Sequence, residues 1–540
     1  MDTFEISLKH KLDTLEELSL IYTPGVGFSS KEIFHNNNVV NCLTNRNNSI
    51  AVIYDCEKNP ESYLPYVQAA AAIIKKITNL DAYPLVSNNY DINKIVENLE
   101  PSFAGFFLFT NKNIKVFSSS ISLFSIDTND FDFDTIISGA KQLAKSLQNI
   151  VCENFIASND DFRNKALELR TSLKGVIETE NLFKNSSLQE LKEIFSKENL
   201  NNLSEKIRKN PELSREYTMK KDTIAIISDG SAVLGLGNIG AQAGLPVMEG
   251  KAAIFKKLGN VNAIPICLKT QDINEIIDIT TAISYSFGGI NLEDINAPRC
   301  FEIEEKLIKK TNIPIFHDDQ HGTAIILLAA LLGALSLAQK NIEESKIVIS
   351  GAGAAAQAVA KLLLKAGAKN LILCDIDGVI SKTSSHTDTY LRKIAQQTNP
   401  NIENGSLKDV LVNADVLIGL SAAGIVSKEM VASMNEKSIV FALANPVPEI
   451  MPELAKEAGA FIVATGRSDF ENQINNSLAF PGVFKGVLQK GITQITDDIK
   501  YKAAIAINEY ASKGLSVHSI LPHALDEGIV EKIVCSLEKV

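Results

Sequence analysis

No Cys-x-x-Cys pair occurs anywhere in these 540 residues. The seven cysteines (Cys42, Cys56, Cys152, Cys267, Cys300, Cys374 and Cys535) are scattered. That usage belongs to a reducing compartment and excludes a disulfide framework or a zinc cage. Basic charge is also short, with a net charge of −11; a sequence-independent nucleic-acid binder needs a basic face and is excluded. The opening residues, Met1-Asp-Thr-Phe-Glu-Ile6, lack the basic region and apolar core of a signal peptide. No uninterrupted apolar run reaches membrane-spanning length. The expectation is a soluble cytoplasmic protein with no nucleic-acid or membrane partner. What is present is ordinary, 45% hydrophobic and 22% charged residues, in a chain long enough for two or three domains.

The chain repeats itself. Leu64-Pro65 and Ala71-Ala-Ile-x-Lys-Lys76 recur as Leu245-Pro246 and Ala252-Ala-Ile-x-Lys-Lys257, an offset of 181 (245 − 64) that also carries Asn79, Ala82, Pro84 and Asp91-Ile-Asn93 onto Asn260, Ala263, Pro265 and Asp272-Ile-Asn274. Upstream, Ile50–Asp55 matches Ile224–Asp229 at 174 (229 − 55), and Glu17–Tyr22 matches Glu190–Phe195 at 173 (195 − 22). Downstream, Phe103-Ala-Gly105 matches Phe287-Gly-Gly289 at 184 (287 − 103). Ordered matches across strand, helix and strand imply a duplicated domain, with a junction near residue 150, and a pseudo-dimer within one chain. The copies differ where chemistry would sit. Lys251 faces Ala70, Glu293 and Asp294 face Phe109 and Thr110, and the glycine-rich Leu234–Gly240 has no counterpart. Conversely Tyr22-Thr-Pro-Gly-Val26 faces Phe195-Ser-Lys-Glu-Asn199. A tyrosine before a Pro-Gly turn is by itself more often packing than chemistry.

In the second copy, Gly235-Leu-Gly-Asn-Ile-Gly240 fits G-x-G-x-x-G after a strand over Thr223–Ile227. Gly244 and Pro246 interrupt the helix that a dinucleotide site would need there, which favours a backbone loop beside a substrate. Lys251 follows a glycine in an apolar setting that favours burial over the usual surface role. Glu293-Asp294 follows a short apolar strand, and Asp318-Asp319 ends the next one, Ile313–Phe316. Carboxylates at neighbouring strand ends suit Mg²⁺ or Mn²⁺; capping of the following helices accounts for one acid at each place, not for doublets. His317 and His321 at i, i+4 raise a zinc reading, but that motif needs a helix. Pro314 and Gly322 place these histidines on a turn, with the helix opening at Thr323.

The last third reads as a dinucleotide domain. Strand Lys346–Ser350 leads into Gly351-Ala352-Gly353-Ala354-Ala355-Ala356, then a helix, then strand Asn370–Asp375. Ala356 takes the third glycine's place, and Asp375 stands where ribose hydroxyls are bound. Ile376 and Asp377 offer no cation for a 2′-phosphate, so NAD is favoured and NADP stays possible. Later strands, Ala414–Leu420 and Ser438–Ala442, end in polar clusters that describe one crevice along a parallel sheet.

With Tyr22-Thr-Pro-Gly-Val, Val233-Leu-Gly-Leu-Gly-Asn-Ile-Gly, Leu-Pro-Val-Met-Glu-Gly-Lys251, Gly-Gly-Ile-Asn-Leu-Glu293-Asp294, Phe-His-Asp-Asp319-Gln-His-Gly-Thr, Leu-Ala-Asn445-Pro and Phe-Glu-Asn-Gln-Ile-Asn-Asn476 assembled, the chain resembles the malic enzyme family in its small bacterial form. The resemblance is near continuous from about 163 to 520 and decayed over 1–150. It implies an α/β chain in which a C-terminal Rossmann-type dinucleotide domain (326–540) follows two copies of the family's N-terminal domain (1–150 and 151–325). It implies oxidative decarboxylation of malate with NAD(P), Lys251 as base, a tyrosine as proton donor, and Glu293, Asp294 and Asp319 on the metal. Asn445 and Asn476 match positions lining the substrate and nicotinamide. The departure is the tyrosine, which the family keeps ahead of the lysine in one domain. Here that domain has Phe195, and Tyr22 from the first copy is expected to complete the site. A homologue without catalysis, or a malate dehydrogenase or malolactic activity, is the competing reading; a homo-oligomer is possible.

Overall fold

The computed structural model describes residues 4–22, 25–115, 121–128, 131–147, 160–180, 183, 185–383, 389–526 and 528–538. Thr23-Pro24 and the expected junction near residue 150 lie outside the described residues. The chain forms two compact units, the first essentially Met1–Ile295 with Glu302–Ile315, the second Phe316–Lys490 with Ile495–Val540.

The first unit holds two four-stranded sheets of like order. In chain order the strands are β1 (Glu5–Leu8), β2 (Ser49–Cys56), β3 (Asp81–Asn88), β4 (Gly105–Phe109), β5 (Ser122–Ile126), β6 (Ile177–Glu180), β7 (Thr223–Ser228), β8 (Asn262–Cys267), β9 (Gly289–Leu292) and β10 (Ile315–His317), the last beginning at the final residue of the first unit's segment Glu302–Ile315. One sheet runs β3-β2-β4-β5 and the other β8-β7-β9-β10, while β1 pairs antiparallel with β6. β2 and β7 are buried along their whole lengths and lie parallel to both neighbours. That is why both read as apolar runs rather than alternating patterns.

Helix Leu64–Thr78 crosses from β2 to β3 with Pro65 in its first turn, where a missing N–H costs nothing, and stops at left-handed Asn79. Its counterpart, Gly240–Ile254, contains Pro246 in its interior and also runs to a left-handed asparagine, Asn260. The helix therefore passes through Gly244 and Pro246, against the expectation that they interrupt it. The glycine-rich insertion adds a turn ahead of the proline, which moves it from the helix start to the interior. The insertion itself is a tight hairpin, with Val233 and Gly237 exchanging both backbone bonds and Gly235, Gly237 and Gly240 at positive φ.

The second unit is built on β11 (Lys346–Ser350), β12 (Asn370–Asp375), β13 (Gly378–Val379), β14 (Val416–Gly419), β15 (Ile439–Ala442) and β16 (Ile462–Thr465), in the order β13-β12-β11-β14-β15-β16. All pairs are parallel except the short β13 edge. The order reverses direction at β11, which makes the β11/β14 boundary the switch point of an open α/β sheet. Helix Asp318–Ala338 packs on helices Ala354–Lys365 and Asp497–Ala511. It begins five residues before the expected Thr323, and it includes Gly322. By length and composition alone it could cross a membrane, but 72% of its apolar window is buried inside the protein. The sequence showed no such length because the first turn is polar.

Candidate functional site

In the first unit, the site residues gather at the ends of β7 and β9. Lys251 is wholly buried in helix Gly240–Ile254, and its Nζ lies 2.6 Å from Glu293 Oε1. Asn291, on β9, donates to the other carboxylate oxygen of Glu293 at 2.9 Å and fixes its orientation. Asp294 is also buried and takes a left-handed backbone, φ 52°, while its carbonyl accepts from Ala232 N. A non-glycine residue held there costs about 1 kcal/mol or more and persists where its surroundings impose it. Two carboxylates and an ammonium packed into an apolar interior are costly to desolvate, a cost that structural ion pairs rarely repay.

Tyr22 is buried at the end of helix Leu15–Ile21. Its ring lies against Gly250, the neighbour of Lys251; a Cβ at position 250 would come within 3.2 Å of Tyr22 Cδ2 and 2.7 Å of the Ile21 carbonyl oxygen. The structure thus brings Tyr22 to the helix that carries Lys251. β4 ends in Phe109 and is followed by Thr110, where β9 is followed by Glu293 and Asp294. Phe109 stacks with Tyr54 and Phe131, and Thr110 and Lys112 both bond Asp55. Burial pushes the neighbouring Cys56 thiol up to about 12.

In the second unit, His317 caps the N-terminus of helix Asp318–Ala338, so Asp318, Asp319 and His321 occupy its first turn. The histidine pair is therefore on a helix boundary rather than on a turn. The buried His317 Nδ1 faces Asp319 Oδ2 at 3.7 Å, which ties one histidine to an acid. Asn476 donates to Asp318, so one member of the doublet orients an amide and the other, Asp319, is half-buried.

The dinucleotide turn is formed as the motif requires. Gly351 has φ 124°, and a Cβ there would lie 2.4 Å from the Leu420 carbonyl oxygen. Gly353 caps helix Ala354–Lys365 with open space around it, leaving Ala352, Ala354 and Ala355 around the helix N-terminus and Ala356 packed beneath. A helix N-terminus with free approach is an anion site. Asp375 ends β12 and accepts the Asp377 N–H at 2.9 Å, and Ile376 between them is fully exposed. Asn445 follows β15 at a cis Asn445–Pro446 bond. Sequence reasoning missed Glu449, wholly buried, whose carboxylate accepts from Ser421 N and Ala444 N and so knits the ends of β14 and β15. Its signal was the polar end of Asn445-Pro-Val-Pro-Glu449, five residues on from Ala444. Asn291 was missed as well, because a strand asparagine reads as polar filler.

A Gly-x-Gly turn at the switch point of a parallel sheet, carried on one chain with a buried lysine–carboxylate pair, defines a dinucleotide-dependent oxidoreductase. The malic enzyme N-terminal domain matches residues 183–308, and the malic enzyme NAD-binding domain matches 320–531. The chain is 50% identical over 328 residues to an NAD-dependent malic enzyme of Geobacillus stearothermophilus, covering 61% of this chain and 68% of that one. It is 49% identical over 326 residues to a bifunctional malic/malolactic enzyme of Bacillus subtilis, covering 60% and 80%. Its fold matches an NAD-dependent malic enzyme from Thermotoga maritima at a TM-score of 0.66 and 44% identity, over 69% of this chain and 98% of that one. The chain belongs to the malic enzyme family.

Proposed function

We propose that the chain oxidises malate at C2 with reduction of NAD and releases pyruvate and CO₂, with Mg²⁺ or Mn²⁺ bound. The observation that carries this reading is the buried Lys251–Glu293 pair at 2.6 Å, together with the family membership. Lys251 takes the proton of the C2 hydroxyl, Tyr22 returns a proton to C3 of the enol, and Asn445 and Asn476 line malate and the nicotinamide. Glu293, Asp294 and Asp319 are the metal ligands. Hard carboxylate oxygens fit either ion. A divalent ion held there supplies polarisation of the C2 oxygen and stabilises the charge left as CO₂ departs. Asp375 followed by exposed Ile376 supports NAD over NADP.

Residues 1–150 are a worn copy of 151–325, ahead of the dinucleotide domain at 326–540, and the two copies form a pseudo-dimer within the chain. Reciprocal contacts support this. Val86 N donates to Ser286 Oγ at 2.8 Å, and Cys267 N donates to Ser102 Oγ at 2.7 Å. The repeat offsets (267 − 86 = 181; 286 − 102 = 184) exchange these two bonds. Ile6 N bonds Asn262 and Thr179 N bonds Asp81, a second exchanged pair (179 − 6 = 173; 262 − 81 = 181). Ile6 faces Thr179 itself in the β1–β6 ladder, and Lys94 pairs with its own counterpart Glu275. Such exchange is the signature of a two-fold axis. The cysteine usage supports a reducing compartment such as the cytoplasm.

The test is purified protein with malate, Mn²⁺ and either cofactor, following reduced cofactor, pyruvate and CO₂. Equimolar formation of all three, lost in Lys251→Ala, is expected. Silence with both NAD and NADP would refute the reading; lactate and CO₂ without accumulated NADH would replace it with a malolactic activity.

A further inference from the structure

We propose that Arg170 is a positioning residue that holds Tyr22 at the Lys251 helix; this rests on the reading above, in which Tyr22 is the proton donor. Arg170 lies in helix Asp161–Leu173 and is completely buried. One terminal nitrogen donates to the carbonyls of Ile21 and Pro246, both at 2.9 Å. The other donates to Glu249 Oε2 at 3.3 Å and to the Leu43 carbonyl at 3.4 Å. Ile21 immediately precedes Tyr22, while Pro246 and Glu249 lie on the helix of Lys251. The second oxygen of Glu249 accepts the backbone N–H of Asn45 at 2.5 Å. One guanidinium therefore joins the backbone beside the tyrosine to the helix beside the lysine, across the two repeats.

The bland reading is that Arg170 only stabilises the interior. Against it stands the cost of the arrangement. A buried ion pair adds little net stability, and hydrophobic residues of the same volume often do as well. Burial presses on both partners, lowering the affinity of Arg170 for its proton and raising that of Glu249, and each is partly offset by the other. The geometry explains what the pair does. The Ile21 carbonyl ends helix Leu15–Ile21 and has no donor within that helix, so a donor from elsewhere decides where the next residue sits. The planar guanidinium holds carbonyls from two segments on one nitrogen in fixed geometry while its other nitrogen reaches Glu249, which a freely rotating ammonium does not do. Phe195, the counterpart of Tyr22, has apolar company instead, edge-on to Phe183 at 5.5 Å.

The test is Arg170→Lys, alone and combined with Tyr22→Phe, assayed for malate-dependent NADH formation alongside thermal melting. Alone, kcat is expected to fall about 10- to 100-fold, the scale of a misplaced reacting group. The KM for malate should stay within about twofold, because uniform binding is untouched. In the Tyr22→Phe background the further loss should vanish, since a residue acting through Tyr22 has nothing left to position. Glu249→Gln, whose single amide oxygen can accept from Arg170 or from Asn45 but not from both, should show the same pattern and serves if Arg170→Lys does not fold. A loss equally large with and without Tyr22 overturns the proposal while leaving the function intact. A wild-type chain that fails to turn over malate overturns the underlying reading and the proposal with it.

Discussion

Gly250→Ala puts the closeness of Tyr22 to Lys251 to a quantitative test. In a helix interior, alanine is worth about 1 kcal/mol over glycine, so propensity alone predicts a more stable protein. The structure predicts the opposite sign. The new Cβ would lie 2.7 Å from the Ile21 carbonyl oxygen, against an ordinary contact of 3.4 Å or more, so something must yield by 0.7 Å (3.4 − 2.7). The carbonyl cannot swing aside freely, because Arg170 holds it at 2.9 Å. Overpacking of this kind costs about 1–3 kcal/mol, which exceeds the propensity gain over most of its range. The displacement falls on the residue before Tyr22, and a misplacement approaching 1 Å costs on the order of 100-fold in rate. The assay is kcat for malate with saturating NAD and Mn²⁺, with thermal unfolding in parallel. Expected are a kcat about two orders of magnitude down and a lower melting temperature. A variant with wild-type kcat would show that the contact does not set the position of a reacting group.

Other outcomes follow from the second unit. Ile376→Arg places a cation beside Asp375 on the exposed turn after β12 and should move the ratio of kcat/KM for NAD and NADP toward NADP; an unchanged ratio would dissociate this turn from the cofactor's ribose. Burial alone would raise the Asp415 carboxyl, but Lys340, Asn435 and the Lys346 N–H outweigh it and hold it below the ordinary 3.8. Its contribution is therefore fully present above pH 3.8 and is lost as pH falls below that value. Chemical denaturation from pH 6 to pH 3 should show a steeper stability loss in wild type than in Asp415→Asn; parallel curves would contradict the assignment.

Much of this arrangement is legible in the sequence. β11 and β12 fall where the apolar runs placed them, because a strand buried on both faces leaves little choice of boundary. The Gly351 turn was legible for a similar reason, since only glycine fits against Leu420. Helix starts were read less well. Asp318–Gly322 joins the helix because His317 takes an extended backbone and caps it, a tertiary arrangement that local propensity, with Pro314 and Gly322 nearby, argued against. Pro246 read as a breaker because the loop that lengthens its helix lies upstream and reads as a separate motif. Lys251 showed as a lysine in apolar surroundings, but its partner Glu293 lies 42 residues away, beyond what spacing can reveal. Arg170 escaped for the same reason: it binds backbone carbonyls from segments distant in sequence, and backbone carbonyls leave no mark in a sequence.

The central claim is that one chain supplies both Tyr22 and Lys251 to one site, and subunit mixing addresses it most directly. Tyr22→Phe and Lys251→Ala chains carrying different tags would be co-expressed, mixed species isolated through both tags, and malate-dependent NADH formation measured against each variant alone. The account predicts no rescue, because every chain then lacks one of the two residues its own site needs. Restored activity in the mixed species, at an appreciable fraction of wild type, would mean that the tyrosine crosses from one chain to another and would contradict the account.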